Sequence, residues 1–184
     1  MSTAVRLLTY DDLCQTPDDG KRYEIIGGEL IVSPAPILGH QEISGELFAL
    51  LRQYVHQHHL GKVFFAPVDV RLGPHDIVEP DLLFVRQDRL NILDSGRYVM
   101  GRPDLVVEII SPSSRKTDQG AKFDLYERTG IPEYWLVDPT TRRCQLFTLR
   151  EGRYEEVAPV EGCLHSFVLA GLVFDPGVLF AGIA

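Results

Sequence analysis

Three side chains in this 184-residue chain are of types that could do chemistry together: two carboxylates on apolar strands, which could share a hard cation, and one lysine on a helix. Glu108 stands inside "DLVVEII" (residues 104 to 110), a run that otherwise reads as a buried strand. Side chains alternate along a strand, so Val106, Glu108 and Ile110 share one face while Leu105, Val107 and Ile109 share the other. An ionised carboxylate in that setting is costly unless it is paired with a cation. A salt bridge to a neighbouring element meets that need, and so does a bound metal ion.

Asp81 opens a second apolar strand, "DLLFV", directly after Pro80. By itself it reads as a strand-start or turn residue. Beside Glu108 it reads differently, because neighbouring strands lie about 5 Å apart and two acids at adjacent tips can offer oxygens to one hard cation. Lys122 lies on a helical stripe with Asp118, Leu125 and Tyr126, so a partly apolar face carries it toward the sheet. A solvated lysine whose stem runs along that face is the plainer account.

Around these residues the chain alternates strands and helices. "RYEII" and "ELIVS" form a hairpin across Gly27-Gly28, and Pro34 and Pro36 then end the sheet. Apolar positions from Ile43 to Val55 recur at helical spacing and predict a helix over 41–59, stopped by Gly61. "KVFFAPVDVRL" reads as one strand bent or edged at Pro67, and "TDQGAKFDLYERTG" as a three-turn helix ended by Gly130. "EYWLVD", "RCQLFTL" and "RYEEVAP" read as closing strands. The order β-β-α-β-β-β-α-β-β-β predicts an α/β fold in which helices pack on a mixed sheet. No linker, repeat or low-complexity tract divides it, so one domain over 1–184 is expected.

The ordered set Pro80-Asp81, Glu108 and Lys122 resembles the PD-(D/E)XK nuclease superfamily. The wider text resembles its Uma-type branch of restriction endonuclease-like proteins, through "DGKRYEIIGGELIVSPAP", "HQEISGELFALL", "PVDVRL", "EPDLLFV", "DLVVEIISPSS" and "KFDLYERTGIPEYWLVDP". One departure is plain: the superfamily pattern puts its lysine two residues after the glutamate, where this chain has Ile110. Resemblance to this branch implies that the lysine has moved to the following helix, as Lys122. It also implies a restriction endonuclease-like core with an extra N-terminal hairpin and C-terminal strands.

The activity so implied is metal-dependent hydrolysis of DNA phosphodiesters. Asp81 and Glu108, with the backbone carbonyl of Ile109, would hold Mg²⁺ or Mn²⁺, and Lys122 would orient water or stabilise developing charge. Glu24 and Glu46 are secondary candidates for a further acid, each of which also reads as a solvated or paired surface carboxylate. His40 either opens its helix or lines the site. Ser111 to Ser114 could cap the helix that follows and present amides to an anion.

Composition bears on the choice of partner. Lys plus Arg total 18 against 26 acids, a net charge of −8, which is a poor footprint for affinity resting on phosphate contacts. A DNA groove would have to draw Arg86, Arg89, Arg142 and Arg143 from elsewhere or be assembled across a homodimer. The other class of function is therefore a non-catalytic interaction or regulatory module on the same fold. Cys14, Cys144 and Cys163 have no metal-cage spacing and read as free thiols in a reducing compartment. The longest apolar stretch, "FVLAGLVF", is too short for a bilayer, so a cytoplasmic protein with no membrane partner is expected.

Overall fold

The computed structural model describes residues 6–94 and 97–181. A short helix, α1 (Tyr10–Leu13), precedes the hairpin β1 (Arg22–Ile26) and β2 (Glu29–Ser33). Gly27 and Gly28, at φ 60° and 82°, form its two-residue turn. Then come α2 (Leu38–Gln57), β3 (Gly61–Phe65), β4 (Val70–Gly73), β5 (Asp76–Val78), β6 (Leu82–Arg86), β7 (Leu93–Asp94), β8 (Tyr98–Met100) and β9 (Leu105–Ile109). A π-helical turn, Thr117–Ala121, runs directly into α3 (Lys122–Thr129). The chain continues through β10 (Glu133–Asp138), β11 (Arg143–Arg150), β12 (Arg153–Glu156), β13 (Leu164–His165) and β14 (Val173–Phe174).

The fold is mixed α/β, with two six-stranded mixed sheets rather than one. The first has the order β2-β1-β5-β4-β8-β7 and the second β12-β11-β10-β9-β6-β3. The expected extra hairpin is thus the outer edge of a full sheet. In the second sheet the β9–β10 pair is parallel, and α3 supplies the crossover that such a pair requires.

Two expectations change in detail. The segment predicted as one strand bent at Pro67 is two strands in different sheets, β3 pairing with β6 and β4 with β5 and β8. A proline cannot donate to a ladder, so it serves here as the crossing point between sheets. Helix α2 ends at Gln57, where His59 turns the chain at φ 53°, so Gly61 begins β3 instead of stopping the helix. An added Cβ at Gly61 would collide with the Val85 carbonyl of the paired strand.

The second sheet divides the apolar interior in two, and the alternation in β9 shows how. Leu105, Val107 and Ile109 join a core with Ile43, Leu47, Leu51 and Val55 of α2, to which Phe174, Leu179 and Phe180 are added from the C-terminal segment. Val106 and Ile110 join the opposite core with Leu125 and Tyr126 of α3 and with Val70, Val78 and Val99 of the first sheet. Glu108 has the parity of this second set, so it faces the space between the two sheets.

Glu133 secures the C-terminal segment. Its buried carboxylate accepts from Trp135 Nε1, Ser166 Oγ and the backbone N–H groups of Phe167 and Val168.

Candidate active site

Strand register decides where the two acids meet. Strands β6 and β9 are antiparallel, with Leu82 opposite Val107 and Leu83 opposite Val106. One further step in that register sets Asp81 opposite Glu108, and directly opposed residues share a face. Strand β6 begins only after Asp81, so the N–H of Ile109 meets the Asp81 carboxylate, at 2.7 Å, in place of a ladder partner. N–H and C=O of one strand residue leave the same edge, which directs the Ile109 carbonyl toward Asp81 as well.

Lys122 enters from the first turn of α3. Its Nζ donates to Glu108 Oε1 at 2.9 Å and lies 2.9 Å from Glu24 Oε1 on β1. Tyr126, one turn on, donates to the same Glu108 oxygen at 2.6 Å. Glu24 also accepts the Glu79 N–H at 2.7 Å, which ties the first sheet to the site. Ile110, two residues past Glu108, is buried among apolar side chains, so the ammonium comes from the helix and not from the strand.

Asp81 has its own set of donors. Arg22 Nη1 reaches Oδ1 at 2.9 Å and His40 Nε2 lies 3.1 Å from Oδ2, while Arg22 Nε also pairs with Glu79. Burial opposes ionisation of Asp81, but the His40 hydrogen bond, the Arg22 charge and the Ile109 amide outweigh it and pull its pKa to about 2.

The remaining groups are pushed the other way. Burial, with Asp118, Asp81 and Glu24 close by, raises Glu108 well above the ordinary carboxylate range despite Lys122. Desolvation works against the charge on Lys122, yet Glu108, Glu24 and Asp118 raise its pKa and keep it an ammonium. Asp118 is raised to about 6 by burial, which Lys122 only partly offsets.

These side chains line one cavity of about 250 Å³, walled by Ser33–Ile37 on one side and by Ser111–Ser114 with Thr117 on the other. Four buried carboxylates, Glu24, Asp81, Glu108 and Asp118, face two fixed cations, Arg22 and Lys122. The interior therefore carries a formal excess of two negative charges. Burial makes that arrangement expensive unless protons or a cation compensate it. The acceptors are hard oxygens of the kind that Mg²⁺ and Mn²⁺ prefer, so the donor set fits such an ion. Among the described residues, no three His, Cys, Asp or Glu side chains already stand at metal-ligand spacing.

Of the residues singled out in the sequence, Asp81, Glu108, Ile109, Lys122, Glu24 and His40 all line the cavity. Glu46 does not; it is solvent-exposed on α2. At 1.5 Å rise per residue it stands about 9 Å along the helix from His40, too far for the turn that reaches the site. Ser111 Oγ accepts the Ser114 N–H at 3.1 Å in the turn ahead of the π-helical segment, whose own N-cap, Lys116, makes no side-chain cap bond. The arginines proposed for a DNA groove are otherwise engaged: Arg86 pairs with Asp88, Arg89 with Asp104 and Arg143 with Glu156. None of them, nor Arg142, lines the cavity.

Sequence reasoning missed Arg22 and Asp118 as site residues. Arg22 shares its strand face with Glu24, two residues on, and that period was the available signal. Asp118 precedes Lys122 by one helical turn on the stripe already recognised.

Comparison with known proteins agrees with this architecture. A model of the Uma2 family, described as "Putative restriction endonuclease", matches residues 8–169. A solved structure titled as a putative nuclease belonging to DUF820 from Anabaena variabilis superposes with a TM-score of 0.79 at 20% identity, covering 96% of this chain and 99% of that one. At that identity the likeness establishes the fold. No functionally curated protein matches the chain. Because the family model spans most of the sequence, the chain belongs to the Uma2 family of restriction endonuclease-like proteins.

Proposed function

We propose that this chain is a metal-dependent endonuclease that hydrolyses phosphodiester bonds of DNA, with one site on a single domain. Family membership supports a nuclease. The observation that carries the reading is the register that opposes Asp81 to Glu108 at the cavity, with the Lys122 ammonium 2.9 Å from Glu108. Asp81, Glu108 and the Ile109 carbonyl would hold Mg²⁺ or Mn²⁺, which when bound would supply Lewis acidity toward water and phosphate. Lys122 would hold a water by hydrogen bonding and offset charge building on the phosphate, and Arg22 would add a second fixed cation. His40 would keep the Asp81 carboxylate turned toward its partners.

A homodimer would suit double-strand cleavage, and exposed apolar side chains are in keeping with one. Leu30 and Val32 on the edge strand β2 are 43% and 48% exposed, and Ile37 of the cavity wall and Leu38 next to it are 67% and 90% exposed. Unpaired Cys14, Cys144 and Cys163 are in keeping with a reducing cytoplasm, and among the described residues no helix is long and apolar enough to cross a membrane.

A binding module is the competing reading, favoured by one observation: Arg22 and Lys122 already pair with Asp81 and Glu108. Plasmid cleavage separates the two. The nuclease requires cleavage that depends on Mg²⁺ or Mn²⁺, stops with EDTA and falls at least about 100-fold in Glu108→Gln. Purified wild type that leaves plasmid and oligonucleotide intact with either ion would favour the module.

A further inference from the structure

Among the described carboxylates of the cavity, Asp118 is the one the ion pairs account for least, its pairing being the 3.9 Å approach of Lys122. Its side chain is buried, at 1% residue exposure, and neither carboxylate oxygen has a partner at full hydrogen-bond distance, although the Ser114 hydroxyl helps to hold its pKa down. Lys122 Nζ, 3.9 Å from Oδ1, is too distant for a hydrogen bond and is already engaged by Glu24 and Glu108. A buried, partnerless carboxylate ordinarily costs several kcal/mol, so a fold that retains one holds it for a ligand or tolerates a defect.

The local backbone distinguishes these. Asp118 lies in the π-helical turn that precedes α3, and such turns are found at functional positions more often than elsewhere. Its main chain is held at both polar groups: the N–H donates to the Ser114 carbonyl at 2.8 Å and the C=O accepts from the Tyr134 hydroxyl at 3.2 Å. The carboxylate is thus fixed against the cavity, and Glu108 Oε1 and Asp118 Oδ1 stand 2.9 and 3.9 Å from the same ammonium nitrogen.

We propose that Asp118 is a further carboxylate ligand of a divalent cation in this cavity, joining Asp81 and Glu108. This rests on the metal-dependent reading above and extends it to a residue outside the Asp-Glu-Lys set. Charge supports the assignment. With all four carboxylates ionised, Lys122 and Arg22, the latter shared with Glu79, leave at least two negative charges uncompensated, which a divalent ion would offset. Lys122, held by two acids, retains Glu24 when the ion takes Glu108.

The test is calorimetric titration of the whole purified chain with MnCl₂, wild type against Asp118→Asn, with Glu46→Gln as a surface control. Thermal melting of each in EDTA and in MnCl₂ completes it. Asp118→Asn is expected to weaken Mn²⁺ binding by about 10- to 100-fold, to melt at least as high as wild type in EDTA because a partnerless charge is gone, and to gain less from MnCl₂. Glu46→Gln is expected to match wild type. Should Asp118→Asn bind Mn²⁺ as wild type does, the assignment fails while the Asp81–Glu108 site stands. Should wild type itself bind no Mn²⁺, the metal-dependent reading falls, and this one with it. A variant that melts lower in EDTA yet binds Mn²⁺ unchanged would make Asp118 a structural residue only.

Discussion

Asp81 accepts the backbone N–H of Ile109 at 2.7 Å, so the carboxylate that ends one strand is bonded to the residue directly after Glu108 on the next. This single bond closes the ladder where β6 has not yet begun. It also fixes the spacing of the two acids without either having to contact the other.

Asp81 should therefore carry stability as well as function. Its pKa lies near 2 in the folded chain against an ordinary 3.8. A depressed carboxylate stabilises the fold above its unfolded pKa, and that contribution is lost as pH falls through the folded value. Asp81→Asn is expected to cost about 2 kcal/mol at pH 7 in urea unfolding, with the gap to wild type closing between about pH 4 and pH 2. A gap that is constant with pH would show that the lost charge is not its source.

Removing the ammonium should be harsher. Lys122→Met keeps the stem and leaves Glu24 and Glu108 without their shared cation, a change that typically costs about 3–5 kcal/mol. Unfolding of the variant in guanidinium should show it. Cleavage measured below its melting temperature should also drop about 100-fold or more. A variant of ordinary stability and activity would remove Lys122 from the site.

Glu46→Gln, by contrast, should change neither Mn²⁺ affinity nor cleavage rate by more than about 2-fold, as expected for a surface carboxylate. Loss of either would return that helix position to the site.

Glu133 predicts a purely structural effect far from the chemistry. Its carboxylate gathers Trp135, Ser166, Phe167 and Val168. Glu133→Ala strands those donors and should destabilise by about 3 kcal/mol or more. Proteolysis should then begin in the segment 160–181, whereas unchanged protection there would contradict the role.

Much of the site was legible because it rests on short-range periodicity. The two-residue period of "DLVVEII" put Glu108 on its face, and helical spacing put Lys122 on a stripe turned toward the sheet. The meeting of Asp81 with Glu108 also follows from ordinary strand pairing. What remained hidden depends on non-local contacts. The first sheet is assembled from β5, β7 and β8, strands of two or three residues, too short to show a period. It is joined to β1 through the single register pair Ile25–Ile77. Arg22 and Glu24 reach the cavity only because that sheet packs across it. Asp118 was obscured for a different reason: in "TDQG" a buried carboxylate reads as one more polar residue near a helix start.

Anomalous diffraction from crystals soaked in MnCl₂ tests the central claim most directly. A peak within coordination distance, about 2.0–2.3 Å, of oxygens from both Asp81 and Glu108 is the predicted result. Full-occupancy manganese elsewhere on the molecule with none in this cavity would contradict it.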